Sequence, residues 1–209
     1  MIMEKGVLQF GAFKLKLHEK YPDAPLAPFY LNLRTADNPK PGPLGESDCE
    51  LIAHCLMGLV SEHDLFFGAI AGIPNAGDPF VEAIKRIKPE PRGFRIIKLA
   101  KEEKDGKRKI VPAAGFDYRS GETVLLLDDL ITQADSKFEA IQAVESAGSI
   151  VRDVIVLIDR QQGGVCELKK RGYNLFSVFK ITDLFQYYFQ SGMITDKQHD
   201  DCVAYLFAK

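Results

Sequence analysis

The chain has 209 residues, of which 46% are hydrophobic and 27% are charged, so it can bury one substantial core or one core with a small appended subdomain. Its net charge of −2 provides no overall basic field, and we expect neither nucleic acid nor a membrane as a partner. The start, MIMEKGVLQFGAF, lacks the pattern of a secretion signal, and no apolar run approaches the roughly 18 residues of a membrane span, so the expected compartment is the cytoplasm.

The first 45 residues differ in composition from the rest of the chain. More than half of the eleven prolines lie between residues 20 and 46, which excludes a regular helix there. The apolar run PFYLNL within this segment predicts a strand-like flap. We therefore expect an N-terminal hood or flap over residues 1–45 and an α/β core over residues 46–209.

From residue 45 onward, short apolar runs alternate with amphipathic stretches. The runs that predict strands are 65–70, 94–100, 124–129, 151–159 and 175–181. Apolar residues at helical spacing predict helices over 45–63, 79–87, 136–148 and 165–173, with two more near 182–192 and 195–208. Several of the runs are apolar on both faces, as buried parallel strands are. The alternation predicts a parallel twisted sheet that is flanked by helices and connected by right-handed crossovers.

The segment VLLLDDLITQADSK (124–137) places two acids at the end of the most hydrophobic predicted strand. Ligands of open α/β sheets bind beyond the carboxyl ends of the strands, where Asp128 and Asp129 are expected to lie. Two solvated or capping acids are the simpler interpretation of this pair. The polar loop 132–136, however, enters a helix through S-K-F-E, a capping-box pattern, and a helix N-terminus behind backbone donors is a natural anion site. Acids beside a phosphate cradle predict a phosphorylated sugar as the ligand.

This segment resembles the phosphoribosyl-diphosphate (PRPP) motif of the type I phosphoribosyltransferases, in which an apolar strand, two acids and two apolar residues precede a Thr- and Gly-rich loop. Further segments resemble the orotate phosphoribosyltransferase branch in the same order along the chain: FGAFKLK (10–16), PFYLNLR (28–34), DLFFGAIAGIP (64–74), KEEKDGKRK (101–109) and VIVLIDRQQGG (154–164). The resemblance covers nearly the whole chain. It implies the type I phosphoribosyltransferase fold and transfer of the ribosyl 5-phosphate group from PRPP to orotate, in pyrimidine synthesis.

The resemblance also implies roles for individual residues. The implied catalytic residues are Asp128, Asp129 and Lys104. The residues implied to bind PRPP are Lys101, Lys104, Asp128, Asp129, Thr132, Gln133, Ala134, Asp135 and Ser136. The residues implied to bind orotate are Lys16, Phe29, Tyr30, Thr132 and Arg160.

These implied roles agree with the chemistry of the reaction. Ribosyl transfer passes through an oxocarbenium-like centre, and diphosphate leaves with a large negative charge. The two acids hold the ribose hydroxyls and favour the positive ring, while Mg²⁺, the implied cofactor, is held mainly by PRPP with no direct protein ligand. The lysine loop 101–109 closes over the diphosphate, and in the family it acts across the interface of a homodimer. Arg160 suits a planar carboxylate because its guanidinium makes two parallel hydrogen bonds.

The chain departs from the family's pattern at several positions. Ala71 and Ala100 stand where the family has polar or basic residues, Ala134 replaces a glycine, and Asp135 replaces Ser or Thr. We expect Asp135 to turn away from the phosphate, because the helix dipole favours a negative charge at a helix start. The departures leave two alternatives open: a degenerate relative that binds a nucleotide or PRPP as a regulator or partner subunit, and a transferase for another base.

Overall fold

A computed structural model describes residues 4–15, 18, 21–87, 93–104 and 107–207 of the chain. The strands are β1 (Leu8–Phe13), β2 (Ala27–Leu31), β3 (Ala69–Gly72), β4 (Arg95–Ile96), β5 (Leu99–Lys104), β6 (Lys107–Pro112), β7 (Thr123–Ile131), β8 (Ile150–Asp159) and β9 (Asn174–Lys180). The helices are α1 (Glu46–Glu62), α2 (Asp78–Ile87), α3 (Asp135–Ser146), α4 (Gly164–Lys170), α5 (Ile181–Gln190) and α6 (Asp196–Phe207). None of these helices combines the length and apolar character needed to cross a membrane.

A five-stranded sheet in the order β4-β3-β7-β8-β9 forms the centre of the unit Glu46–Phe179. β3 pairs in parallel with β4 and with β7, and β7 pairs in parallel with β8. The two longest strands are buried along most of their length, including residues 124–127 of β7 and residues 153–159 of β8. These strands are apolar at nearly every position because helices cover both faces of a parallel sheet. The predicted α/β class and parallel sheet are confirmed.

The predicted strand 94–100 is divided in the structure. Its first part forms the short edge strand β4, whereas Leu99 begins β5, which pairs antiparallel with β6. Leu99 and Ile110 anchor the base of this hairpin in the hydrophobic core, with 0% and 7% of their surface exposed. Farther out, Arg108 and Glu103 form a cross-strand ion pair of 3.7 Å. The lysine-rich segment expected to be a loop is therefore a charged β-hairpin from Lys101 to Lys109, of which residues 105 and 106 lie outside the described residues.

The second compact unit consists of Met1–Gly45 together with Lys180–Lys209. β1 and β2 form an antiparallel pair, and the ring of Phe29 on β2 packs edge-on against Phe185 of α5 (4.9 Å between ring centroids) and Tyr205 of α6 (6.0 Å). A two-stranded ribbon cannot bury an apolar face by itself, so the C-terminal helices supply the missing partner. Residues 180–209, which we expected in the α/β core, pack with the N-terminal segment for this reason.

Candidate functional site

The loops that follow β3, β7 and β8 meet at the carboxyl end of the central sheet. The loop after β3 is joined to β7 by a hydrogen bond from the Ile73 N–H to the carbonyl of Leu127 (2.8 Å). The loop after β8 is joined to the end of β7, since the Arg160 N–H donates to the carbonyl of Ile131 (2.9 Å). This edge is where open α/β sheets bind their ligands, and Asp128 and Asp129 lie on β7 between the two neighbouring loops.

Two glycines allow these loops to approach β7 closely. A Cβ atom at Gly77 would lie 2.2 Å from the carbonyl oxygen of Leu127 and 2.7 Å from the backbone nitrogen of Ile73. A Cβ atom at Gly164 would lie 2.6 Å from the side chain of Ile131 and 2.7 Å from the carbonyl oxygen of Thr132. No side chain fits at these separations, so the shape of the site depends on glycine at both positions.

The acid pair rests on a buried lysine that the sequence reasoning missed. Lys137 of α3 is 3% exposed, and its Nζ lies 2.7 Å from Oδ2 of Asp128, which is itself 5% exposed. The same ammonium group donates to the carbonyl of Leu130. The other oxygen of Asp128 accepts the backbone N–H of Asp129 (2.9 Å), and Oδ1 of Asp129 accepts the N–H of Leu130 (2.7 Å). Both oxygens of Asp128 are thus engaged within the protein.

Helical periodicity could have identified this lysine. Position 137 precedes Ala140, Ile141 and Val144 at spacings of three, four and seven residues, and these three are buried positions of α3. A charged residue in register with an apolar face predicts a buried partner of opposite charge, because an unpaired ammonium group is costly to bury. The adjacent strand offers Asp128 as that partner.

Asp129 has an unusual protonation equilibrium. Burial raises the pKa of its carboxyl group to about 8, and the negative charge of Asp128 acts in the same direction, whereas the charge of Lys137 opposes both. The carboxyl group of Asp129 therefore loses its proton less readily than that of an ordinary aspartate. Burial likewise raises the pKa of Asp78, at the start of α2, where the positive charge of Lys98 has the opposite effect. Asp78 is a third acidic residue near this edge, and the sequence reasoning did not single it out.

The predicted phosphate loop leads directly into α3. The helix begins at Asp135, with Ala134 as its N-cap and no side-chain capping bond, so the capping box predicted at S-K-F-E is wrong. The carbonyl of Ala134 already accepts the N–H of Phe138 (2.9 Å), which places Ser136 inside the first turn. Asp135 is exposed and lines a groove on the outer face of α3, whereas Ala134 is buried.

The other predicted site residues fall into three groups. Thr132 and Arg160 are half-buried on neighbouring loops, and Gln133, Ser136 and Lys101 are exposed. Lys16 and the side chain of Lys104 lie outside what the structure describes, so their predicted roles stay predictions. Ala71, where the family has a polar or basic residue, lies inside β3 with 0% of its surface exposed and faces the core.

The two aromatic residues predicted to lie beside the base have different environments. Phe29 is 0% exposed and packs in the aromatic cluster described above, so its ring offers no free face to a base. Tyr30 points to the other side of β2 and is half-buried. Its hydroxyl accepts a hydrogen bond from Nη1 of Arg34 (3.1 Å), and its ring lies 5.7 Å from that of Phe13. The burial of Phe29 contradicts its predicted role in binding orotate, whereas the role predicted for Tyr30 stays a prediction.

Comparison with known proteins gives a consistent result. No protein-family model matches the chain. The chain is 30% identical over 193 residues to the orotate phosphoribosyltransferase of Methanopyrus kandleri, covering 88% of each chain. It is 28% identical over 206 residues to the orotate phosphoribosyltransferase of Sulfurisphaera tokodaii, covering 98% of this chain and 94% of that protein.

A solved structure supports the same relationship. The structure of Leishmania donovani UMP synthase matches with a TM-score of 0.75 and 28% identity, over 98% of this chain and 40% of that one. The sequence matches cover 94% and 88% of these two relatives, and the structural match covers 98% of this chain. The chain therefore belongs to the orotate phosphoribosyltransferase family, a family of pentosyltransferases with the type I phosphoribosyltransferase fold.

Proposed function

We propose that this protein transfers the ribosyl 5-phosphate group of PRPP to orotate, giving orotidine 5-monophosphate and diphosphate in the synthesis of pyrimidine nucleotides. One observation carries the proposal beyond family membership. The acid pair of β7, the loop entering α3 and the Arg160 loop are joined by backbone hydrogen bonds at one edge of the sheet. A phosphorylated sugar and a carboxylate-bearing base need these groups next to each other.

In this proposal the acid pair binds the ribose of PRPP. As the bond to diphosphate breaks, positive charge develops at the anomeric carbon, and nearby carboxyl groups stabilise it most strongly when they are fixed in place beforehand. The hydrogen bonds that hold Asp128 and Asp129 to the backbone provide such fixation. The 5-phosphate is assigned to the backbone N–H groups of residues 132–136 and the hydroxyls of Thr132 and Ser136, with Gln133 and Ala134 contributing through the backbone. Asp135, exposed on the outer face of α3, is assigned no direct contact.

The diphosphate is assigned to the β5–β6 hairpin and the loop 73–77. Lys101 and Lys104 on β5 bring positive charge to a leaving group that carries several negative charges. A hairpin that closes over the diphosphate also excludes water, and so disfavours hydrolysis of PRPP. Lys104 is the proposed catalytic lysine of this hairpin.

Orotate is assigned to Arg160 and Thr132. That Tyr30 and Lys16 also bind it, and that residues 1–45 act as a hood, stay predictions from the resemblance. The loop after β8 holds Arg160 in a defined place. Oδ1 of Asp159 accepts the N–H of Gln161 (2.7 Å), and Gln161 adopts a left-handed backbone conformation with φ of 55°. A guanidinium group carried on a backbone held in this way can bind a carboxylate through two hydrogen bonds.

Mg²⁺ is the proposed cofactor. Among the described residues, no group of three or more His, Cys, Asp or Glu side chains is arranged to hold a metal ion. Mg²⁺ commonly keeps several waters and binds through substrate phosphates, which suits a site where the protein supplies charge rather than a complete ligand set. The bound ion would neutralise charge on the leaving diphosphate, and its ligands would come mainly from PRPP.

The first prediction is that the purified protein consumes orotate only when both PRPP and Mg²⁺ are present. The decrease of orotate absorbance measures the reaction, and a panel of other bases serves as the control for substrate choice. PRPP that binds by calorimetry without any loss of orotate at high protein concentration would favour a degenerate relative acting as a regulator or partner subunit. Consumption of another base in preference to orotate would favour a transferase for that base.

We also propose a homodimer in which the β5–β6 hairpin serves the site of the neighbouring subunit. Lys104→Ala and Asp129→Asn variants should each be nearly inactive, but a mixture should recover part of the activity, because some heterodimers contain one site with both residues intact. Activity after subunit exchange is the measurement. A mixture of Asp128→Asn with Asp129→Asn is the control and should recover nothing, since both changes lie on the same strand. Equal behaviour of the two mixtures would exclude a shared site.

A further inference from the structure

The ammonium group of Lys137 is buried directly behind the acid pair. Its side chain is 4% exposed and that of Asp128 is 7% exposed, so the ion pair between them is almost fully removed from water. Burial of such a pair is tolerated only when the geometry is good and the remaining polar atoms are satisfied. Both conditions hold, because Lys137 also donates to the carbonyl of Leu130 and Asp128 also accepts the N–H of Asp129.

This arrangement gives the two acids different environments. Asp128 is buried and has both oxygens engaged by Lys137 and by the backbone. Asp129 is half-buried, and within the described ranges the only hydrogen bond to its carboxyl group is the one from the N–H of Leu130 to Oδ1. Asp129 is accordingly the acid with an oxygen available to the sugar, whereas Asp128 faces inward.

We propose that Lys137 is a positioning residue that fixes Asp128 from behind and compensates its charge, so that Asp129 can ionise and bind the ribose hydroxyls. The inference rests on the proposed function only for the identity of the sugar. It divides the work between two acids to which the family resemblance assigns the same role, and it adds a residue that the resemblance does not include.

The charges around Asp129 support this division. Asp128, on the same strand, disfavours a negative charge on Asp129, and Lys137, on α3, favours it. Asp78 of α2 is electrostatically coupled to Asp128 and adds a third acidic group to the neighbourhood. Lys137 is the one cation that acts on Asp129 within the part of the chain that the structure describes. Without it, Asp128 and Asp129 would lie side by side without the cation that opposes their charge, and PRPP is itself strongly anionic.

The experiment compares Lys137→Met and Lys137→Arg with the unchanged protein. The first readout is the titration of the Asp129 carboxyl carbon by NMR in the free protein, and the second is the pH dependence of kcat/KM. Loss of the cation should raise the pKa of Asp129 by about 1–3 units. The rising limb of kcat/KM should move to higher pH by a similar amount, whereas Lys137→Arg should keep it within about half a unit of the original position.

Lys170→Met is the matched control. Lys170 forms an ion pair of the same length, 2.7 Å, with Glu167 on the surface of α4, where its side chain is 67% exposed. The same change of residue at this exposed pair should leave both pH profiles in place, because exposed pairs contribute little. A shift of the Asp129 titration in Lys170→Met equal to that in Lys137→Met would show a general effect of net charge and would overturn the inference.

A further variant covers the possibility that Lys137→Met does not fold. Asp128→Asn removes the neighbouring negative charge and leaves Lys137 in place, so the Asp129 titration should move to lower pH, opposite to the effect of losing the lysine. An Asp129 titration that does not respond to Asp128→Asn or to Lys137→Met would disprove the inference. Because these titrations need no substrate, they stand even if orotate is not consumed. An unshifted kcat/KM profile in an active Lys137→Met protein would disprove the inference while leaving the proposed function intact.

Discussion

Replacement of Asp129 with asparagine is expected to lower kcat by about 10²–10³, the loss typical when a fixed group that stabilises transition-state charge is removed. Asparagine is nearly the same size and can still accept the hydrogen bond that Leu130 donates to Oδ1. The change therefore removes the ionisable group and leaves the shape of the loop in place. Steady-state kinetics with saturating PRPP and Mg²⁺ provide the measurement.

Asp64→Asn is the matched control for this change. Asp64 is exposed and adopts a left-handed backbone conformation with φ of 48°, which asparagine tolerates well. It should retain full kcat. A kcat for Asp129→Asn within about threefold of the unchanged protein would contradict the role assigned to this carboxyl group.

The Asp129→Asn variant should also change how the stability of the protein depends on pH. The pKa of Asp129 is about 8 in the folded protein, against an ordinary value of 3.8 for aspartate, so the folded state binds more protons than the unfolded state between these values. The stabilisation from this group is complete at low pH and is lost as pH rises toward about 8. Asp129→Asn removes the contribution. Its free energy of unfolding should consequently fall less steeply between about pH 5 and about pH 8, as urea unfolding across that range would measure.

Replacement of Gly77 with alanine is expected to have the second large effect. The added Cβ would lie 2.2 Å from the carbonyl oxygen of Leu127, a backbone atom of the strand that carries the acids. Because neither backbone segment is a flexible side chain, the loop 73–77 must move away from β7. Forced contacts of this kind in a packed region typically cost about 1–3 kcal/mol. The movement should also raise the KM for PRPP, because this loop is assigned to the diphosphate.

Gly58→Ala distinguishes this effect from an ordinary change of glycine. Gly58 lies in α1 and is exposed, and a Cβ atom at this position would have no described neighbour within 4 Å outside its own helix backbone and adjacent residues. Alanine at an unobstructed helical position is expected to stabilise the protein by about 0.5–1 kcal/mol. Thermal unfolding of the two variants should therefore shift in opposite directions. A Gly77→Ala protein with unchanged stability and unchanged KM would show that the loop need not lie against β7.

The sequence alone determined the features that depend on local patterns. Continuous apolar runs predict the strands β7 and β8, and apolar residues at helical spacing predict the helices α1 and α3. The two patterns differ because a strand with two buried faces is apolar at every position, whereas a helix with one buried face is apolar at every third or fourth position. The position of the two acids also follows from the sequence, since the carboxyl end of a predicted strand is a defined place in such a sheet. The order of the motifs along the chain predicted the family.

Only the tertiary structure decided which residues face each other across those elements. A period of two places Phe29 and Tyr30 on opposite faces of β2, but the helices that cover one face come from the other end of the chain, so the buried ring could not be chosen from the strand alone. The sequence of residues 99–112 is likewise compatible with a hairpin or with a loop. The hairpin forms because Leu99 and Ile110 are buried in the core and hold β5 against β6. Lys137 was hidden for the same physical reason. The burial of a charge becomes favourable only through a partner on another element, and that partner, Asp128, is supplied by the packing of α3 against β7.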